Sequence, residues 1–269
     1  MSIKLVAIDI DGTLLNSKKE ITPSVFEAIQ DAKAADVKIV ITTGRPIAGV
    51  SKLLKGLHLM DPGDYVITFN GGLVQKTATG KELIKDLLHY EDYLDIESLA
   101  NKLQIHSHAI TKDGIYTSNR DIGRYTIHES QLVNMPLYYR TPEEVREKEF
   151  VKAMYIDEPE ILDAAIAKLP QEFYDRFTIV KSTPFYLEIL KKTANKGIAV
   201  THLAEKLGLS KEETMAIGDE ENDRAMLEVV GSPVVMENGN PELKKIAKHI
   251  TKSNDESGVA YAIRKWVLE

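Results

Sequence analysis

Three apolar runs constrain the fold of this chain more than any other feature. Leu5-Val6-Ala7-Ile8, then Ile39-Val40-Ile41 within residues 38–43, and Val66-Ile67 within residues 65–69 do not alternate with polar residues in the way a half-exposed strand would. Strands that are apolar on both faces belong to parallel sheets covered by helices on either side. The segments between them read as those helices. Thr22 and Pro23 form an N-cap and first helical residue, followed by the stripe Val25, Ala28, Ile29 and Ala32 to about residue 35, and Pro46 opens a second helix to about residue 57. The expected class is α/β, a doubly wound parallel sheet. In such sheets ligands sit beyond the carboxyl ends of the strands. Asp9, Thr43 and Asn70 each occupy that position.

The style changes in the middle of the chain. A helix pattern over residues 93–103 leads to a strand over 105–110, and Lys112-Asp113-Gly114 turns back into a second strand over 115–118, a hairpin pattern. Further helices (122–132, 160–169) alternate with strands (151–156, 177–181, 186–190). This block is expected to be an α+β domain with an antiparallel sheet. The βα style resumes after Lys191, with a helix over 198–207 stopped by Gly208, strands over 213–217, 234–236 and 250–251, and a last helix carrying the single tryptophan, Trp266. Residues 1–84 and 191–269 are therefore expected to form one core, and 85–190 an inserted domain.

The end of the first run carries the chemistry. Asp9 and Asp11 share a face at Asp-x-Asp spacing, and Gly12 lets the backbone turn and present N–H groups to an anion. An ionised carboxylate at the end of a buried strand is costly unless neutralised. A hard cation does that, and Mg²⁺ is commonly held by one or two protein carboxylates together with substrate phosphate. Two other readings fit the same residues: Asp-Gly is a frequent turn dipeptide, and Asp-x-Asp also holds metal in nucleotide-sugar transferases.

Bulk properties narrow the partners. Basic residues number 34 against 41 acidic ones, for a formal charge of −7, and no basic stripe runs through the chain. Nucleic acid and anionic membrane are accordingly not expected as partners. The absence of cysteine excludes disulfides, thiolate zinc sites and cysteine nucleophiles. The N-terminus reads straight into a strand without a signal-peptide pattern, and no apolar run has the length of a membrane span, so a cytoplasmic location is expected.

Four stretches combine in order: Asp9-Ile10-Asp11-Gly12-Thr13, Thr43-Gly44-Arg45, Lys196 within Asn195-Lys196-Gly197, and Gly218-Asp219-Glu220-Glu221-Asn222-Asp223. Together they resemble the four motifs of the haloacid dehalogenase superfamily, in its Cof-type sugar-phosphatase branch. Thr43-Gly44-Arg45-Pro46, Asn70-Gly71-Gly72 and Tyr186-Leu187-Glu188-Ile189 are similar to the YidA-like phosphatases in particular. The resemblance implies a Rossmann-like core with an inserted cap and Mg²⁺-dependent hydrolysis of phosphate monoesters of small metabolites, most of all sugar phosphates. It implies Asp9 as a nucleophile that becomes an aspartyl phosphate and Asp11 as general acid and base. Mg²⁺ would lie on Asp9, Asp219 and the Asp11 carbonyl. Thr43, Gly44, Arg45, Asn70, Lys196 and Asn222 would bind substrate or its phosphate, Lys196 also balancing charge, with Asp223 in support.

Each position has a plainer alternative. Thr43 reads equally as a strand-end hydroxyl, Lys196 as a solvated surface lysine, Asp219 and Asn222 as helix caps, Arg45 as a salt-bridge partner, and Asn70-Gly71 as a turn. His106 and His108 share a strand face but lack a third ligand at useful spacing, and Tyr116, Asn119 and Arg120 are polar loop candidates for substrate contacts. A phosphomutase with the same chemistry and a non-catalytic protein that binds phosphorylated ligands are the rival functions.

Overall fold

The computed structural model describes residues 2–269, which divide into two compact units. The first runs to Lys85 and resumes at Asn195; the second, Asp86–Ala194, is inserted between its halves. The first half contains β1 (Leu5–Asp9), α1 (Pro23–Ala34), β2 (Lys38–Thr42), α2 (Ile47–Gly56), β3 (Tyr65–Thr68), β4 (Leu73–Lys76) and β5 (Glu82–Lys85). The insertion holds α3 (Tyr90–Leu103), β6 (His106–Ile110), β7 (Ile115–Thr117), α4 (Arg124–Leu132), β8 (Leu137–Tyr139), β9 (Lys152–Ile156), α5 (Pro159–Ile166), α6 (Gln171–Arg176), β10 (Phe177–Thr183) and β11 (Tyr186–Lys191). The chain then returns through α7 (Lys196–Lys206), β12 (Thr214–Gly218), α8 (Arg224–Val229), β13 (Ser232–Val235), α9 (Pro241–Lys244), β14 (His249–Ile250) and α10 (Gly258–Ile263).

The first unit is built on one sheet of order β14-β13-β12-β1-β2-β3-β4-β5. Strands β14 to β3 are parallel, and β4 and β5 add an antiparallel edge. Strand β1 lies inside the sheet, and the two faces it presents explain why Leu5 to Ile8 are all apolar. Val6 and Ile8 join the core formed with Val25, Ala28 and Ile29 of α1 and Ala262 and Ile263 of α10. Leu5 and Ala7 join the opposite core with Val200 and Leu203 of α7 and Met226 and Leu227 of α8. Each valine, leucine, isoleucine or methionine among them contributes about 1.5–3 kcal/mol on burial. Thr22 caps α1 by accepting from the Val25 N–H at 3.3 Å, with Pro23 in the first turn. Register sets Asp9 beside Thr42 and Ile8 beside Ile217, so the carboxyl ends of β1, β2 and β12 finish at one edge. The β4–β5 hairpin was not expected from sequence. Its strands are four residues long and carry Gln75, Lys76, Glu82 and Lys85, too polar and too short for a periodicity to register. At the other end of the sheet the Trp266 ring stacks on His249, with centroids 4.3 Å apart and planes 12° apart.

The inserted unit has a second sheet, β10-β11-β9-β6-β7-β8. It is antiparallel as the sequence suggests, except for β7 and β8, which run parallel. Ala109, Ala153, Tyr155, Leu187 and Ile189 pack with Tyr93, Ile96 and Ala100 of α3, Leu162 and Ala165 of α5 and Phe173 of α6. The alternate residues face the other way and include charges: Lys152 Nζ lies 3.1 Å from Glu188 and 3.8 Å from Glu129 of α4, all three largely buried. His106 Nδ1 pairs with Asp157 at 2.9 Å. His108, fully buried, has no hydrogen-bond partner on either ring nitrogen, and burial together with nearby Lys152 pushes its pKa down to about 3. No carboxylate joins the two histidines in a metal cluster among the described residues. Among the same residues no helix is long and apolar enough to cross a membrane.

Candidate active site

The edge where β1, β2 and β12 end gathers side chains from segments far apart in sequence. Asp9, the last residue of β1, is 7% exposed. Lys196 opens α7, whose N-cap Asn195 accepts from the Ile198 N–H at 2.9 Å. A lysine there meets the positive end of a helix dipole, which disfavours it. Its ammonium is nevertheless buried, and it is stabilised by two carboxylates: Nζ donates to Asp9 Oδ1 at 2.5 Å and to Asp223 Oδ1 at 2.6 Å. The solvated-lysine alternative is thereby removed. Gly71 is what allows α7 to begin here. Its φ is +103°, and a Cβ at this position would lie 2.2 Å from the Asn195 carbonyl oxygen.

Asp219 follows β12 and is also buried. The Thr13 hydroxyl donates to its Oδ1 at 2.6 Å, and Gly12, at φ +80°, leaves room for its Oδ2, which would stand 2.2 Å from any Cβ on residue 12. Asp223 is saturated. Its Oδ1 takes the lysine, while its Oδ2 accepts from the N–H groups of Asp219 at 2.9 Å and Glu220 at 3.2 Å. No local pattern points to Thr13 as the holder of Asp219, because the partners lie 206 positions apart.

Asp9, Asp219 and Asp223 each offer a carboxylate oxygen, and these lie within 4.8 Å of one another. Three carboxylates against one ammonium leave two negative charges unmatched in a buried site, and the titration behaviour follows from that excess. Burial, reinforced by Asp223 and Asp219 and opposed by Lys196, pushes Asp9 up to about 7. Burial, with Asp223 and Glu220 adding to it against the Thr13 hydrogen bond, raises Asp219 to about 6. Burial alone would lower Lys196, but Asp9 and Asp223 hold it above its ordinary value, so it is the charged member of the group. The donor set fits a hard divalent cation: all oxygen, negative in sum, with Oδ2 of Asp9 and of Asp219 accepting no hydrogen bond among the described residues. Asp223 belongs to the cluster by distance, but its committed oxygens make it a holder of Lys196.

The remaining expected residues divide. Thr43 is buried one step past β2, and its Oγ1 accepts from the Arg45 N–H at 3.1 Å while its carbonyl accepts from the Asn70 N–H at 2.9 Å. Asn70 has a left-handed backbone (φ 54°), lies against Gly44 and keeps its Oδ1 buried without a partner. A left-handed, unsatisfied asparagine is more than the plain turn the sequence also allowed. Asn222 is exposed and does not join the buried cluster. Asp11 also lies outside it. Its carboxylate accepts from Arg45 at 2.6 Å and from Lys19 at 3.1 Å, and although partial burial acts to raise it, these two cations hold it below its ordinary value. Lys19 carries no sequence signal; it sits in a polar turn like many others.

Comparison with known proteins places this geometry in context. A model of the haloacid dehalogenase-like hydrolases matches residues 6–263. The chain is 67% identical over 268 residues, covering 100% of both chains, to a Streptococcus pyogenes protein provisionally named a phosphatase. It is 31% identical over 269 residues, covering 100% of this chain and 97% of the relative, to the Bacillus subtilis 5-amino-6-(5-phospho-D-ribitylamino)uracil phosphatase YcsE. Among solved structures, a haloacid dehalogenase-like hydrolase from Bacteroides thetaiotaomicron superposes with a TM-score of 0.84 at 27% identity, over 98% of this chain and 99% of that one.

Proposed function

The chain belongs to the haloacid dehalogenase-like hydrolases, and on that premise we propose that it hydrolyses phosphate monoesters of small metabolites, sugar phosphates first among them, with Mg²⁺ as cofactor. The observation that carries the proposal is the buried Asp9–Lys196–Asp223 network beside Asp219 at the carboxyl edge of the parallel sheet. A structural ion pair needs one carboxylate; this site buries three. The substrate class draws support from the ribityl phosphate in the name of the 31% identical relative.

Asp9 is the nucleophile. Its carboxylate forms a bond to phosphorus as the ester oxygen departs, and the leaving oxygen takes a proton from Asp11. Water then attacks the aspartyl phosphate, giving its proton to Asp11 and restoring Asp9 as inorganic phosphate forms. Lys196, fixed by Asp223, favours the ionised form of Asp9 against its burial, orients it and offsets charge as the phosphoryl group approaches. Thr43, at the end of β2, offers its hydroxyl to a phosphoryl oxygen, and Gly44, Arg45, Asn70 and Asn222 line the approach. Asp9, Asp219 and the Asp11 carbonyl would hold the cation, with Thr13 keeping Asp219 in place. When bound, Mg²⁺ supplies neutralisation of the phosphoryl oxygens in the transition state. Asp11 must leave Arg45 and Lys19 to serve as acid, because both disfavour its protonated form.

The test is phosphate release from a panel of sugar phosphates, phosphoglycolate and nucleotides with EDTA and with added Mg²⁺. Metal-dependent release is expected, strongest on sugar phosphates. Release that ignores EDTA would remove the metal from the reading, and transfer to a second sugar hydroxyl in place of water would make the protein a mutase.

A further inference from the structure

Two cations outside the buried cluster meet on the one carboxylate that the mechanism needs free. Arg45 Nη2 lies 2.6 Å from Asp11 Oδ2 and Lys19 Nζ lies 3.1 Å from Asp11 Oδ1, so each oxygen has its own cation. Lys19 is placed by a built turn. Asn16 donates its N–H to the Glu20 carbonyl, its carbonyl accepts from the Lys19 N–H, and its side chain accepts from the N–H groups of Lys18 and Glu20, all between 2.9 and 3.0 Å. Lys19 itself has a left-handed backbone, φ 61°, which is uncommon for a residue with a side chain. The loop is further pinned by Asp255, which accepts from the Ser17 N–H at 2.8 Å, and by Asn254, whose amide donates to the Leu15 carbonyl at 2.9 Å.

We propose that Lys19 and Arg45 form a receptor for a second anionic group on the substrate, next to the ester oxygen that leaves, and that Asp11 occupies this receptor when no ligand is bound. The inference rests on the hydrolase reading above and adds the substrate class. Three features support it. The receptor grips a planar group with two oxygens, one cation to each, the shape of a carboxylate or of one edge of a phosphate. It lies on Asp11, which attends the leaving oxygen, whereas Lys196 is buried on Asp9, where the transferred phosphoryl group arrives; the cations are thus divided between the two ends of the ester. All three members are between 44% and 67% exposed at the side chain, and pairs so exposed are weak and exchange readily. An anionic ligand therefore gains two partners and, in taking them, frees Asp11 for proton transfer.

The test compares phosphoglycolate, whose carboxylate adjoins the ester, with 2-hydroxyethyl phosphate, of the same length and neutral at that end. The wild type is expected to favour phosphoglycolate in kcat/KM. Lys19→Met should lower that preference by about tenfold, the scale of one charge-assisted hydrogen bond, mainly through KM for phosphoglycolate, and Lys19→Arg should restore most of it. A wild type that favours the neutral ester, or a Lys19→Met preference equal to the wild type's, overturns the receptor while leaving the hydrolase intact. If neither ester is turned over, the wider panel of phosphate esters judges the hydrolase reading, and calorimetric binding of the same two compounds still decides the receptor. Tighter phosphoglycolate binding that Lys19→Met abolishes supports it, and equal binding of both compounds overturns it.

Discussion

Each unit of this molecule buries one lysine between two carboxylates, and the surroundings of the two lysines differ. Lys196 in the first unit makes contacts of 2.5 and 2.6 Å to Asp9 and Asp223, at the edge where parallel strands end, with Asp219 adding a further carboxylate. Lys152 in the inserted unit spans 3.1 and 3.8 Å to Glu188 and Glu129 on the face of an antiparallel sheet, with a neutral, unpartnered His108 near it. The first arrangement sets three carboxylates against one ammonium at the edge where parallel strands end. The second is a looser group that lets polar residues cross a sheet face. Burial of a lysine therefore does not by itself mark a reactive site; the third carboxylate beside it and the strand-end position do.

Substitutions can break or sharpen this contrast. The largest effect is expected from Asp9→Asn, which should lower turnover by at least about 10³-fold, or about 4 kcal/mol in barrier, while circular dichroism and thermal melting show an intact fold. Substantial residual turnover would make the first cluster structural, like the second. Lys152→Met should act in the opposite sense, costing about 3 kcal/mol of stability by denaturant titration, because it leaves buried glutamates unpaired. A neutral result would mean that Glu129 simply takes up a proton. Burial already raises Glu129, with Glu188 adding to it and Lys152 opposing.

The smallest effect concerns pH. Asp219 has its folded pKa raised from 3.8 to about 6, so the native state holds the proton more tightly than the unfolded chain does. The ionised group then costs stability. The cost is absent at pH below about 4, grows between 4 and 6, and is complete above that. In metal-free protein at pH 8, Asp219→Asn should be more stable than the wild type by about 1–3 kcal/mol, a rise of a few degrees in Tm, and the difference should vanish near pH 4. Added Mg²⁺ should reverse the order, since only the wild type keeps the full donor set. Equal melting at both pH values would show that Asp219 carries no burial cost.

Much of this was legible in the chain, for reasons that can be named. The runs at β1, β2 and β3 are apolar at every position because both faces are covered, and that pattern survives in sequence. Strand-end carboxylates are visible because charge next to a buried run is costly. What was not legible depends on distant partners. Taken alone, Lys196 reads as a surface residue, and only the resemblance of the four motifs singles it out in sequence; the Arg45 and Lys19 contacts on Asp11 have no such signal. Asn222 stands in the fourth motif but is exposed, outside the buried group. Strand β8 is three residues long, and its parallel pairing with β7 follows from the chain's path through α4, which no local pattern records.

The stack of Trp266 on His249 has an optical consequence. The chain has one tryptophan, and it lies in the first unit. Excitation at the red edge of indole absorption therefore reports melting of the first unit alone, with the tyrosines of the insertion silent. Burial, with Lys248 and Lys265 adding to it, lowers the His249 pKa. The imidazole against the indole therefore stays neutral to lower pH than a free histidine would, and quenching by its charged form begins correspondingly late in an acid titration. A single emission band can thus follow one half of a two-part molecule while circular dichroism follows both.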